Sequence, residues 1–153
     1  MDILDALGHW PGAVWLQRHY VAYLVVNAAH ILAFALIVGA IVPLDLRLMR
    51  GAPVAAIAPL LSRTAGVGVV VAVLTGIWLF SVKPQEYLAN PAFLWKLAIF
   101  SGALVNVALQ HVGAGYRVAL AGGGVVPRVR AHAAVSLALW SGVVLAGRWI
   151  GFV

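Results

Sequence analysis

Residues 20–44 read YVAYLVVNAAHILAFALIVGAIVPL, an apolar stretch with one histidine, His30, near its middle. About 20 apolar residues in a helix cross the hydrocarbon core of a bilayer, so this stretch predicts a transmembrane helix. An imidazole inside a bilayer has no water to solvate it, and it usually faces the bundle interior and binds a partner, a metal or a proton. His30 is therefore the first candidate for a functional role.

Three further apolar stretches are long enough to span a membrane, at 65–82, 92–112 and 131–153. The chain has 153 residues, of which 64% are hydrophobic and 9% charged, values that soluble domains do not reach. We predict an all-α integral membrane four-helix bundle that forms a single transmembrane domain over residues 1–153. Before the first span, residues 3–10 form either a short interfacial helix or an ordinary frayed terminus.

The basic residues are distributed unevenly between the two predicted membrane faces. Six lie beside the first and third connections: Arg47, Arg50, Arg63, Arg117, Arg128 and Arg130. Four lie on the opposite side, together with three acidic residues: Arg18, Lys83, Lys96 and Arg148, with Asp2, Asp5 and Glu86. Cytoplasmic loops are enriched in Lys and Arg, so we expect both termini in the periplasm. The net charge of +6 is thus a topology signal, and the lipid bilayer, not nucleic acid, is the expected partner.

Several classes of chemistry are excluded by composition. The chain has no cysteine, which rules out disulfides, thiolate metal sites and iron–sulfur clusters. It has only two methionines, which argues against a thioether pathway for Cu(I). No Walker loop, dinucleotide fingerprint or zincin motif occurs.

The third helix is the most polar of the four, with Trp95, Lys96, Ser101, Asn106, Gln110 and His111. Lys96 and His111 are fifteen positions apart, or about 60° around a helix, so both can face one interior. Lys96 is either an interfacial cation that snorkels to the membrane surface or a buried proton carrier. We expect Asn106 and Gln110 to join helices by hydrogen bonds.

A haem in a helical bundle needs nitrogen ligands, a slot of small residues, and cations for the propionates. The candidate ligands are His30, His111 and His132. The candidate slot residues are Ala29, Ala33, Gly66, Gly102 and Ala103. The candidate cations at one membrane face include Arg47 and Arg63.

Depth in the membrane limits how the histidines can pair. His30 is near the centre of its helix, whereas His111 is close to the cytoplasmic end of the third, an offset of roughly 10 Å. His132 begins the fourth helix at the same face as His111. Two ligand pairs are therefore candidates, His30 with His111 and His111 with His132.

Several short segments resemble the pattern of HemJ-type protoporphyrinogen oxidases and CopD-like bacterial membrane proteins. They are the stretch from His30 to Gly39, the segment Pro43-Leu-Asp-Leu-Arg47, Arg63, Trp95-Lys96-Leu97, and His111. The resemblance covers the first three helices. It implies a multi-pass protein of the bacterial inner membrane, with a haem b pocket in which His30 and His111 matter and Arg63 and Lys96 are polar partners. The second histidine of the HemJ pattern, just after the first helix, is replaced by residues 47–51.

Three functions are consistent with this sequence. The leading hypothesis is a membrane protein that binds haem b and either transfers electrons or, as an oxidoreductase, oxidises a hydrophobic substrate, with a redox partner or a second copy of itself. The second is a cofactor-free structural or accessory subunit of a larger membrane complex. The third is proton or metal-ion transport, which ranks last because we expect no acidic side chain inside the bilayer.

Overall fold

The computed structural model describes residues 3–153, so Asp2 lies outside the described residues. Within that range the chain forms eight α-helices, ends in a short 3₁₀ turn, and contains no β-strand. Four helices are long: α3 (Tyr20–Met49), α4 (Ala58–Val82), α6 (Pro91–Val112) and α8 (Pro127–Trp149). Four are short: α1 (Ile3–His9), α2 (Pro11–Arg18), α5 (Pro84–Ala89) and α7 (Ala114–Leu120). The long helices are apolar enough to cross a membrane, so the predicted all-α, multi-pass membrane bundle is confirmed.

The long helices pack in a defined order. Helix α3 packs against both α4 and α8, and α8 packs against both α3 and α6. Within residues 3–153, α4 and α6 make no extensive contact with each other. The bundle therefore has three closely packed sides and one looser side, between α4 and α6.

Three of the spans extend further than their apolar stretches. Helix α3 continues through Pro43 to Met49, α4 begins at Ala58, and α8 begins at Pro127. Pro59 and Pro127 stand in the first turn of their helices, where a missing N–H costs nothing. The helices thus run past the apolar core of the membrane, which the hydropathy of the sequence alone does not register.

The short helices α1, α2 and α5 form a cap over one end of the bundle. The Trp10 indole donates to the Ser81 hydroxyl (2.9 Å), and the Gln17 amide donates to the Val82 carbonyl (2.9 Å). In return the Trp78 indole donates to the Gly12 carbonyl (3.0 Å). Of the two alternatives for residues 3–10, a helix is present, α1, and α2 follows it. We call this end the cap face, and the opposite end, with the α3–α4 and α6–α8 connections, the basic face.

Close helix contact in the middle of the bundle depends on small residues. A Cβ added at Gly68 of α4 would lie 2.8 Å from Ile37 Cγ1 and 2.9 Å from the Ala33 carbonyl oxygen of α3. Only glycine fits there, because any side chain would push the helices apart. Ala33, Ile37 and Ala103 are buried around the same contact. This core separates the polar groups near the cap face from those near the basic face.

Candidate functional site

A cleft of about 380 Å³ lies on the looser side of the bundle, towards the basic face. Helices α4 and α6 form its walls, and α3 and α8 form its floor; we call it the α4–α6 cleft. Its polar lining residues are Asp45, Ser62, Asn106, Gln110, His111, Tyr116, Ser136 and Trp140. The volume falls in the range of about 300–1,000 Å³ that is usual for small-molecule sites.

Three residues that line this cleft each have a buried side-chain atom with no hydrogen-bond partner: Asp45 Oδ2, Gln110 Oε1 and Trp140 Nε1. The three residues are 3%, 7% and 1% exposed. Among the described residues these three are the complete set of such atoms. Buried polar groups are normally paired, and each one left unpaired costs about 1–3 kcal/mol. Their convergence on a single cleft points to a ligand that would complete them.

Asp45 corrects the expectation that no acidic side chain lies inside the bundle. Its carboxyl group, in the segment Pro43–Arg47 of α3, is buried beside Ser136 of α8. The cause is helical phase, because Ala33, Ile37, Ile41 and Asp45 repeat every four residues along the buried side of α3. This spacing was present in the sequence and could have identified Asp45.

The two amides of α6 have different roles. Asn106 joins α6 to α8, since its Nδ2 donates to the His132 carbonyl (3.1 Å) and its Oδ1 lies 2.7 Å from His132 Nδ1. Gln110, one turn further along, lines the cleft and has a buried Oε1 without a hydrogen-bond partner. The predicted bonding between helices therefore holds for Asn106, whereas Gln110 is part of the cleft.

His111 lies at the edge of the cleft and is exposed. Its Nδ1 is 2.8 Å from the Val107 carbonyl oxygen, so Nδ1 carries the proton and Nε2 has a free lone pair. The Tyr116 ring packs against it with centroids 5.0 Å apart. Burial raises the pKa of the Tyr116 phenol, with the neighbouring Ser62 hydroxyl acting in the opposite direction. The phenol therefore remains protonated at neutral pH.

His30 belongs to a second polar cluster, nearer the cap face. Lys96 Nζ lies 3.4 Å from His30 Nε2, and His30 Nδ1 lies 2.9 Å from Thr75 Oγ1. Thr75 donates its own proton to the Val71 carbonyl (2.6 Å). The proton directions follow: Lys96 donates to Nε2, and Nδ1–H donates to Thr75. Both nitrogens of His30 are thus engaged, and Lys96 points inward instead of snorkelling.

The structure does not bring His30 and His111 together. Lys96 contacts His30, and His111 lies fifteen residues beyond Lys96 on the same helix, a rise of about 22 Å. This exceeds the offset of roughly 10 Å that the sequence suggested. One iron atom cannot reach both rings, because each metal–nitrogen bond spans only about 2 Å.

His111 and His132 do not converge either. His132 bonds to Asn106, and His111 is five residues after Asn106, about 140° around α6. Within residues 3–153 no group of three or more His, Asp or Glu side chains could hold a metal ion. Arg47 and Arg63 are exposed at the basic face, and neither forms an ion pair within the described residues.

Comparison of the chain with protein-family models, with curated proteins and with solved structures returns no match. The resemblance to the HemJ-type and CopD-like families therefore remains a prediction.

Proposed function

We propose that this protein binds an amphipathic small molecule in the α4–α6 cleft. The ligand enters sideways from the bilayer, its polar head reaches the floor, and its apolar part stays in the mouth. The observation that carries this proposal is the set of three unpartnered atoms, on Asp45, Gln110 and Trp140, in one cleft. Membrane proteins keep such groups in the interior where they have a functional role.

The mouth of the cleft suits entry from lipid. Gly66 of α4 and Ala108 of α6 both line the cleft and are exposed. A Cβ added at Gly66 would meet nothing within 4 Å, so the mouth is open space. Apolar residues behind it, such as Val69 and Leu104, provide a surface for an alkyl chain.

The floor defines the polar head of the ligand. Asp45 Oδ2 and Gln110 Oε1 accept hydrogen bonds, whereas Trp140 Nε1–H donates one. A head group that carries N–H or O–H donors together with an acceptor atom would form hydrogen bonds with all three atoms. Hydroxyl and amine groups on an apolar chain have this chemistry.

Blocking the mouth tests the proposal. We expect the protein in lipid nanodiscs to bind dodecanol or dodecylamine with 1:1 stoichiometry, measured by native mass spectrometry. Gly66→Phe fills the mouth and should weaken binding at least about tenfold. The control is Val67→Phe on the same helix, where the native side chain is 59% exposed, and it should leave binding unchanged. Absence of binding, or equal binding to both variants, would refute the proposal.

His111 favours a second candidate function. This function is haem b binding, for electron transfer or for oxidation of a hydrophobic substrate. Metal-binding histidines commonly donate one ring N–H to a carbonyl and bind the metal through the other nitrogen. His111 has this arrangement at the edge of the cleft. His111 would hold the haem iron, and the arginines of the basic face would supply positive charge for the propionates.

An absorption spectrum tests the haem candidate. Protein from haem-replete cells should have a Soret band that His111→Gln removes and His30→Gln retains. A colourless preparation that stays colourless after hemin is added would exclude it. If it also binds no amphipath, the cofactor-free accessory subunit becomes the best reading.

We infer that the membrane is the bacterial cytoplasmic membrane and that the basic face is cytoplasmic. The six arginines beside the α3–α4 and α6–α8 connections support this orientation. Both termini would then be periplasmic, on the cap face.

A further inference from the structure

We infer that the polar head recognised in the α4–α6 cleft is a cation, and that the ligand is a lipophilic primary amine bound by Asp45. This inference rests on the proposed function and names the ligand class of the same site. It is carried by the charge balance around Asp45 and by the hydrogen-bonding capacity of the cleft floor.

Within residues 3–153, Asp45 has no cationic partner. Across residues 3–153 the one ion pair is between Lys83 and Glu86 on the cap face. None of the residues lining the cleft is Lys or Arg. A buried carboxyl group is stable either as the neutral acid or as a carboxylate next to a positive charge. The protein does not supply that charge, so a cationic ligand would be selected.

The neighbouring arginines do not fill this role. Arg47 is two residues from Asp45 on α3, about 200° around the helix, and it is exposed. Arg63 follows Ser62 on α4 and is exposed as well. The arginines face the membrane surface, while the single carboxyl group faces the cleft, so the floor attracts cations and repels anions.

The hydrogen-bonding groups of the cleft floor are complementary to those of a primary amine. A primary ammonium has three N–H donors and no acceptor, which suits Asp45 Oδ2 and Gln110 Oε1. The remaining group, Trp140 Nε1–H, needs an acceptor. A hydroxyl next to the ammonium would provide it, so an amino alcohol on an alkyl chain is the most complete match.

The experiment compares dodecylamine with dodecanol, which share a chain length and differ in charge at pH 7. Binding is measured by native mass spectrometry in nanodiscs of zwitterionic lipid. Because both compounds also partition into lipid, the decisive quantity is the ratio between protein variants for each compound. Asp45→Asn should weaken dodecylamine binding at least about tenfold and leave dodecanol within about threefold. Glu86→Gln, which removes an exposed carboxylate from the cap face, should change neither.

A third compound tests the Trp140 contact. 2-Amino-1-dodecanol should bind more tightly than dodecylamine, and Trp140→Phe should remove that advantage. An advantage that persists in Trp140→Phe would contradict the assignment of the hydroxyl to Trp140.

The outcomes separate this inference from the proposed function. If dodecanol binds as tightly as dodecylamine and Asp45→Asn has no effect, the inference of an amine ligand is wrong, but the cleft is still a ligand site. If neither compound binds, both the inference of an amine ligand and the proposed function are wrong. If Asp45→Asn fails to fold, Gly66→Phe is used in its place. Blocking the mouth with this variant must then weaken the binding of dodecylamine more than the binding of dodecanol.

Discussion

The basic side chains of Lys96 and His30 lie against each other within the membrane-spanning helices. Lys96 Nζ also lies 4.8 Å from the centre of the Phe34 ring. The lysine side chain packs beside Gly147 of α8, where a Cβ would lie 3.5 Å from Lys96 Cε and Nζ, an ordinary van der Waals distance. Within the described residues no carboxylate joins this cluster. The lysine is held instead by the imidazole lone pair and the aromatic face.

The two members of this pair should differ in their effect on stability. His30→Leu leaves the Lys96 amine buried without its acceptor, whereas Lys96→Met leaves only a neutral imidazole nitrogen unpaired. We therefore expect His30→Leu to lower the free energy of unfolding by about 1–3 kcal/mol and Lys96→Met to have a smaller effect. Thermal unfolding of the detergent-solubilised protein measures this, with the exposed His19→Gln as control. A larger loss in Lys96→Met would contradict the assigned proton directions.

Tyr116 should make the protein sensitive to alkaline pH. Burial raises the pKa of its phenol, so its contribution to stability is fully present below the unfolded pKa of about 10 and is lost as pH rises through the folded value. Unfolding followed between pH 8 and 11 should show a decline in stability that is shallower in Tyr116→Phe. Tyr20→Phe, at an exposed position, serves as control, and equal slopes in wild type and Tyr116→Phe would contradict the prediction.

At the scale of helices, the sequence predicted which segments span the membrane but not how their side chains meet. Four apolar stretches were sufficient to predict α3, α4, α6 and α8. The ends of α6 were predicted to within one residue, whereas the C-terminal end of α3 and the N-terminal ends of α4 and α8 were missed, because these helices continue past the apolar stretches into segments that contain arginines. The pairing of His30 with Lys96 depends on the relative depth of α3 and α6, which one sequence does not define. The burial of Asp45 was predictable from its four-residue spacing, but the lack of a partner for its Oδ2 atom depends on the neighbouring helices and was not.

The order of the helices can be tested by cross-linking, because the chain has no native cysteine. A Cβ at Gly142 of α8 would lie 3.4 Å from Ile99 Cγ2 of α6, so these two positions are in direct contact. Ile99→Cys with Gly142→Cys should therefore form a disulfide under mild oxidation, as seen by gel mobility after cleavage between the helices. The matched pair Gly66→Cys with Ala108→Cys, across the mouth of the cleft, should need a longer bifunctional reagent. A direct disulfide in the second pair and none in the first would contradict the packing order.

The whole molecule is polarised between its two ends. The cap face carries α1, α2 and α5 and also holds the C-terminus, where Asn90 Nδ2 donates to the Val153 carbonyl (3.0 Å). The basic face carries the six arginines of the two connections. One end is thus closed by short amphipathic helices, and the other presents positive charge to the lipid headgroups.

This polarity predicts the orientation of the chain in a bacterial membrane. Alkaline phosphatase fused after Val153 should be active, because that enzyme folds only in the periplasm, and fusions within the connections at Gly51 and Gly122 should be inactive. Replacing Arg47, Arg50 and Arg63 together with glutamine should reduce this difference, since the arginines set the orientation. Activity at Gly51 in the unmodified protein would contradict the assignment.

The gap between α4 and α6 also affects how the protein can be purified. A detergent is itself an alkyl chain with a polar head, so any detergent used for extraction would compete with the ligand that we propose for the cleft. Maltosides carry many hydroxyl groups, and we expect them to fill the opening and to conceal weak ligands at ordinary working concentrations. Extraction into polymer-bounded discs of the native membrane would retain whatever compound the cells supply, and mass analysis of those discs could then identify it directly.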